Sequence, residues 1–111
     1  MMDVSAQGPL TEGVYYILLN LNAPMHGYGI IQNVERMTKG RLVLGAGTLY
    51  GALTSLVERQ WIQPADSDDS SDSRRKDYLI TERGKMALAR EMERLEELLA
   101  NGRTVVERGI L

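Results

Sequence analysis

The sequence predicts a single domain of the mainly α, α+β class, with a small sheet and a long last helix. Three observations support this prediction. Apolar residues recur at helical spacing in four separate stretches of the chain. Two short runs of branched and aromatic residues flank a polar stretch in the second half, which is typical of two strands joined by a turn. A chain of 111 residues, 43% of them apolar, has the size and composition of one globular domain.

Two helices are predicted in the first 40 residues. Thr11 is a usable N-cap for the first helix, and Pro24 follows soon after its end. The apolar stripe of this helix comprises Leu10, Val14, Ile17, Leu18 and Leu21. The second helix is expected to begin at His26 and to stop at Gly40. The branched run RLVL at 41–44 is too short for a helix and predicts a strand.

A third helix is predicted in the stretch GAGTLYGALTSLVERQW, residues 45–61. Its apolar positions fall on one face of the helix. The opposite face carries glycine, hydroxyl and tyrosine side chains, whereas an ordinary solvated face carries Lys and Glu. The strand-like runs at 61–63 and 78–80 follow this helix and are expected to form a hairpin with a long polar tip.

The last helix is expected to begin after a Thr81 cap and to run from Glu82 to about Asn101, where Gly102 ends it. A helix of that length is roughly 30 Å long, more than this domain needs to close its core. Its apolar residues step by four, three and four positions, as in a coiled coil. They are Leu88, Met92, Leu95 and Leu99.

The predicted elements follow the order of a winged helix-turn-helix domain, which is helix, helix, strand, helix, strand, wing, strand and helix. The sequence therefore predicts three parts. Residues 1–9 form a flexible N-terminal arm, 10–81 the winged helix-turn-helix domain, and 82–111 a dimerisation helix with a tail.

The chain resembles the PadR family of transcriptional regulators. The resemblance rests on PMHGYGIIQNVE at 24–35, GRLVLGAGTLYGALTSLVERQWI at 40–62 and RRKDYLITERGKMAL at 74–88. It implies a homodimer joined through the last helix and the first, which represses genes by binding an inverted repeat in double-stranded DNA. In several members a small-molecule effector releases the operator. The chain departs from the family in having Gly45-Ala46 where Ser-Pro is frequent, and in an unusually acidic wing tip.

The candidate DNA contacts lie on the third helix and at the base of the wing. Hydroxyl groups can bind phosphates or base edges, a threonine methyl can meet a thymine methyl, and three consecutive cations can bind phosphate. The candidate DNA-binding residues are Gly47, Thr48, Tyr50, Gly51, Thr54, Arg74, Arg75 and Lys76. The candidate dimer interface comprises Val14, Ile17, Leu88, Met92, Leu95 and Leu99, and the candidate effector pocket comprises Tyr15 and Tyr16.

Charge and composition limit the other functions. The net charge is -2, and the acidic run at 65–73 is interpreted as a disordered, solvated wing tip. Asp66, Asp68 and Asp77 have calcium-loop spacing, but Ser71 stands where such a loop requires glycine. With no cysteine and one histidine, we expect no enzyme, no metal and no cofactor.

Since no apolar run reaches the length that spans a bilayer, we expect a cytoplasmic protein. Two alternatives stay open. One is a winged-helix module that binds protein instead of DNA, which the net charge of -2 would suit. The other is a small-molecule-binding homodimer without DNA binding.

Overall fold

The computed structural model describes residues 7–65 and 76–109, which form four helices and one three-stranded antiparallel sheet. In chain order the elements are α1 (Glu12–Asn20), β1 (Met25–His26), α2 (Gly27–Met37), α3 (Ala46–Glu58), β2 (Ile62–Ala65), β3 (Asp77–Ile80) and α4 (Glu82–Glu107). This arrangement confirms the predicted mainly α fold, a winged helix-turn-helix domain with a long C-terminal helix.

Helices α1, α2 and α3 enclose the core together with the sheet. The core is aliphatic, in agreement with a chain that has no Phe and one Trp. Each fully buried Leu or Ile side chain contributes about 1.5–3 kcal/mol relative to an exposed one. The fully buried large residues are Ile17, Leu18, Leu21, Ile30, Val34, Leu49, Leu53, Leu56 and Ile62. Leu49, Leu53 and Leu56 bury one side of α3, so the opposite side of that helix faces solvent.

Two predicted helix caps are confirmed. Thr11 Oγ1 accepts a hydrogen bond of 3.1 Å from the backbone N of Val14 at the start of α1. Thr81 Oγ1 accepts one of 3.1 Å from the backbone N of Gly84 at the start of α4. Such a side chain satisfies one of the N–H groups that have no partner inside the helix.

The sheet has the order β1-β3-β2, with β3 in the middle. Met25 in β1 pairs with Tyr78 in β3, and Ile62 in β2 pairs with Ile80. The sequence did not predict β1, because two residues are too few to show strand alternation. The sheet joins the wing to the start of α2, since β1 leads directly into that helix.

The predicted strand at 41–44 is wrong. These residues form an irregular connection between α2 and α3. Thr38 Oγ1 accepts a hydrogen bond of 3.0 Å from the backbone N of Leu42, which fixes the connection locally. Leu44 is 7% exposed and Leu42 packs against the core. The branched residues therefore serve packing and not strand pairing.

The predicted end of the last helix at Gly102 is also wrong. Helix α4 continues to Glu107 and has 26 residues, a length of roughly 39 Å. Thr104 Oγ1 donates a hydrogen bond of 3.0 Å to the carbonyl oxygen of Ala100, across the position of Gly102. The residue in the left-handed conformation that ends the helix is Gly109, with a φ of 69°.

Helix α4 is attached to the domain by close contacts along its first ten residues. Gly84 lies against the carbonyl oxygen of Trp61, and a Cβ at this position would overlap that oxygen. Glu91, 3% exposed, receives bonds of 2.9 and 2.6 Å from Arg94 and one of 3.3 Å from the backbone N of Leu10. Gln7 Nε2 donates to the carbonyl oxygen of Ala87 at 3.1 Å. Residues 7–10 are thereby held on α4.

Candidate nucleic-acid interface

Tyr50 of α3 contacts Gly27 at the start of α2. A Cβ at Gly27 would lie 2.7 Å from the Tyr50 hydroxyl oxygen and 2.9 Å from Cζ. Gly27 is buried, whereas Tyr50 is 51% exposed. One edge of the Tyr50 ring therefore packs on the first turn of α2, and its other side faces solvent. The hydroxyl group lies at the α2 N-terminus, beside the outward face of α3.

The outward face of α3 combines Gly47, Gly51, Thr48 and Thr54, all of which are exposed. At each glycine an added Cβ would meet nothing within 4 Å, and neither glycine has a positive φ. Each glycine in a helix interior costs about 1 kcal/mol relative to Ala. Because neither packing nor backbone conformation requires these glycines, the fold does not explain them. They leave a smooth surface that another molecule can approach closely.

The hydroxyl groups of Thr54 and Thr48 on this face differ in their hydrogen bonding. Thr54 Oγ1 donates a hydrogen bond of 3.0 Å to the carbonyl oxygen of Tyr50, so its proton is already used. Thr48 makes no side-chain hydrogen bond within the part of the chain that the structure describes. The N-cap Gly45 has no side chain to satisfy the first N–H groups of α3. These N–H groups carry the positive end of the helix dipole and suit a phosphate group.

Lys76 is the candidate wing residue that the structure describes. It is exposed and directly precedes β3, where Asp77 pairs in register with His26. His26 in turn precedes Gly27, the residue that contacts Tyr50. The structure thus brings the base of the wing to the start of α2, close to the Tyr50 side of α3. Arg74 and Arg75, and the predicted acidic tip, lie outside the described residues.

The predicted seam on α4 is exposed along most of its length. Met92 is 44%, Leu95 39% and Leu99 56% exposed, while Leu88 packs partly against its own core. Leu98 and Val106 extend this apolar surface. The seam of four, three and four steps passes over Leu98, and Val106 lies beyond the predicted end of the helix at residue 101. An exposed apolar stripe of this length is typical of a surface that contacts another molecule.

Val14 and Ile17, the two residues of α1 in the candidate dimer interface, differ in burial. Val14 is partly buried against the core. Ile17 is 1% exposed and is enclosed by the core of its own domain. The sequence spacing could not distinguish the two, because both lie on the apolar stripe of α1.

The rings of Tyr15 and Tyr16 pack edge to face with centroids 5.7 Å apart. A groove of about 330 Å³ lies between α1 and α4, but neither tyrosine lines it. Its lining is mostly aliphatic, with Lys85 and Asn22 as its polar members. The two tyrosines and this groove are therefore separate features.

The fold and this face define a class, a winged helix-turn-helix protein whose third helix is free to contact another molecule. The chain matches the model of the Transcriptional regulator PadR-like family over residues 16–90. It belongs to this family, whose members are transcriptional regulators and not enzymes.

Two solved structures of regulators from this family, and one curated protein, are similar to the chain. A PadR-like transcription factor from Bacteroides fragilis is 27% identical with a TM-score of 0.68, covering 83% of this chain and 87% of that one. A PadR family transcriptional regulator from Eggerthella lenta is 26% identical with a TM-score of 0.64, covering 84% and 79%. An uncharacterized 37.1 kDa protein in transposon TN4556 of Streptomyces fradiae is 32% identical over 77 residues, 69% of this chain and 21% of that protein. The chain thus spans about a fifth of this curated relative. No helix among the described residues is long and apolar enough to cross a membrane.

Proposed function

We propose that this protein is a sequence-specific DNA-binding transcriptional repressor that acts as a homodimer on an inverted repeat. The observation that carries the proposal is the outward face of α3. It is exposed, uncharged from Ala46 to Ser55, and has glycines that the fold does not require. In a family of transcriptional regulators, a helix with such a face is suited to enter the major groove of DNA.

Phosphate contacts would hold this helix in register. Lys76 supplies a cation at the base of the wing, and Arg74 and Arg75 precede it in the sequence. The first N–H groups of α3 and the Tyr50 hydroxyl supply neutral donors on the same side. Contacts of this kind position a protein on the duplex and carry little sequence information. The bases would be read by α3 itself.

The dimer would form through α4. Met92, Leu95 and Leu99 give it an exposed apolar seam. A two-fold axis through such a seam would present two identical α3 helices to the two half-sites of one duplex. Half-sites in such dimers lie about one helical turn apart, roughly 34 Å. We expect the operator to be an inverted repeat with that spacing.

Repression and release by an effector are proposed on the strength of the family. A dimer bound over a promoter would exclude the transcription machinery, and a small molecule seated between α1 and α4 would change the angle between the two α3 helices. A DNA partner would also place the protein in the cytoplasm. A reporter gene behind the selected operator should fall in expression when this protein is present.

A DNA titration tests the proposal. Duplexes selected from a random pool by the purified protein should bind with an affinity that falls steeply with salt, and Lys76→Ala should reduce the slope of log K against log salt by about 1. Arg108→Ala removes the same charge at the end of α4, far along the chain from α3, and should leave the slope unchanged. A winged-helix module that binds only protein would select no duplex and show no salt-sensitive complex.

A further inference from the structure

We infer that α3 reads its half-site through thymine methyl groups, with Thr54 and Thr48 as the specificity-determining residues. The expected half-site is rich in A·T pairs and has no guanine bound by a bidentate side chain. This inference rests on the proposed function and specifies what the proposed site recognises.

The first part of α3 lacks the side chains that discriminate most strongly between bases. Strong discrimination in the major groove comes from bidentate pairs, in which Arg or Lys binds guanine, Asn or Gln binds adenine, and Asp or Glu binds cytosine. None of these residue types occurs in GAGTLYGALTS, residues 45–55. The first charged residues of the helix are Glu58 and the C-cap Arg59, at its far end. The part of α3 that would enter the major groove therefore offers mainly methyl and hydroxyl groups.

The hydroxyl group of Thr54 is directed at the backbone of its own helix. Its hydroxyl donates to the carbonyl oxygen of Tyr50 at 3.0 Å. A base would therefore meet the methyl group and an acceptor lone pair, but not a free donor. The C5-methyl of thymine is the apolar group that the major groove presents, and a threonine methyl is a suitable contact for it.

Tyr50 is not expected to contact the bases. Its ring edge and hydroxyl pack over Gly27 at the start of α2, where an added Cβ would lie 2.7 Å from the hydroxyl oxygen. The end of the Tyr50 side chain is therefore directed at α2 and not at the face between Thr48 and Thr54. Its hydroxyl is placed for a phosphate at the edge of the groove.

Two glycines allow α3 to approach the floor of the major groove closely. Gly47 and Gly51 lie on the helix face between Thr48 and Thr54, with open space at both Cβ positions. No side chain there keeps the groove floor away, so both threonine methyls can come within van der Waals distance of base methyls. Burying one methyl contributes about 0.8 kcal/mol, which corresponds to roughly a fourfold change in affinity.

The test uses duplexes that the protein selects from a random pool, in which each thymine is replaced in turn by uracil. This replacement removes only the C5-methyl. We expect about a fourfold loss of affinity at no fewer than two positions of each half-site. In the Thr54→Ser variant, which loses the methyl but keeps the hydroxyl, the uracil effect at one of those positions should disappear. Thr54→Val keeps the methyl and should retain the effect.

Thr104→Ser is the matched control. Thr104 in α4 also donates its hydroxyl to the carbonyl oxygen four residues earlier, at 3.0 Å, so the substitution is chemically the same. It should leave every uracil effect in place. Selected sites with an invariant guanine and no response to uracil would overturn this inference while the proposed function stands. Selection of no duplex at all would overturn both.

Discussion

Replacing Gly84 by alanine tests how α4 is attached to the winged domain. A Cβ at Gly84 would overlap the carbonyl oxygen of Trp61 and lie 2.8 Å from Cγ1 of Ile80. The Trp61 oxygen cannot move without cost, because it accepts a hydrogen bond of 2.9 Å from the backbone N of Thr81. That bond joins the start of β2 to the cap of α4. The added methyl must therefore displace either the helix or the strand.

The expected free-energy change is the balance of three contributions. Overpacking of this kind costs about 1–3 kcal/mol, and loss of the Thr81 hydrogen bond costs about 0.5–1.5 kcal/mol. The higher helix propensity of Ala returns about 1 kcal/mol. We expect Gly84→Ala to lower the free energy of unfolding by about 0.5–3.5 kcal/mol, which shifts the urea midpoint by roughly 1 M for a typical dependence on denaturant.

Equilibrium unfolding in urea at one fixed protein concentration measures this change. Gly51→Ala is the matched control, because an added Cβ there meets nothing within 4 Å. It should raise the free energy of unfolding by up to about 1 kcal/mol through helix propensity alone. If Gly84→Ala were as stable as the unsubstituted protein while Gly51→Ala behaved as expected, the close approach of α4 to Trp61 would be refuted.

Three further predictions concern contacts described above. The Arg94 guanidinium, followed by the Leu10 N–H, lowers the pKa of Glu91. The free energy of unfolding should therefore fall as pH drops below about 4.5, and Glu91→Gln should flatten that fall, measured by urea unfolding from pH 7 to 3. Gly27→Ala should displace the half-exposed ring of Tyr50 and destabilise the protein by no more than about 1 kcal/mol, and in a Tyr50→Ala background this cost should disappear, as a double-mutant cycle would show. Leu99→Glu should convert the proposed dimer to a monomer in sedimentation experiments, because it places a charge in the apolar seam.

The sign of the pH effect follows from the direction of the shift. A carboxyl group whose pKa is lower in the folded state stabilises the fold above its unfolded pKa and loses that contribution as pH falls. Glu93→Gln, at an exposed position of the same helix, should leave the pH dependence nearly unchanged. Met86→Glu adds a charge at an exposed residue outside the seam and should leave the oligomeric state unchanged. Loss of the dimer in Met86→Glu would contradict the proposed interface.

Features that depend on neighbouring residues could be predicted from the sequence. Thr11 and Thr81 were identified as caps because a threonine before an apolar period has a local target three residues later. The buried stripe of α3 followed from helical spacing. Gly102 wrongly predicts the end of α4, because glycine is a frequent helix stop, yet one glycine costs only about 1 kcal/mol and the residues around it continue the helix.

Features that depend on distant residues could not be predicted. Tyr50 and Gly27 are 23 positions apart, and Leu10 and Glu91 are 81 apart, so no local period links them. Glu91 looks like any solvated acid of a charged helix until the fold brings the start of the chain over it. The family resemblance supplied the DNA-binding hypothesis, but it did not show that the Tyr50 ring packs on α2.

The length of α4 has a mechanical consequence. From Glu91, where residues 7–10 hold the helix, to Glu107 the rise is roughly 24 Å. A rigid rod of that length turns a tilt of about 10° at its fixed point into a displacement of roughly 4 Å at its tip, which is more than the spacing between adjacent base pairs. Glu91 lies at the fixed point of this rod. In the proposed homodimer, a small tilt at the buried carboxylate would therefore change the distance between the two α3 helices by about one base-pair step.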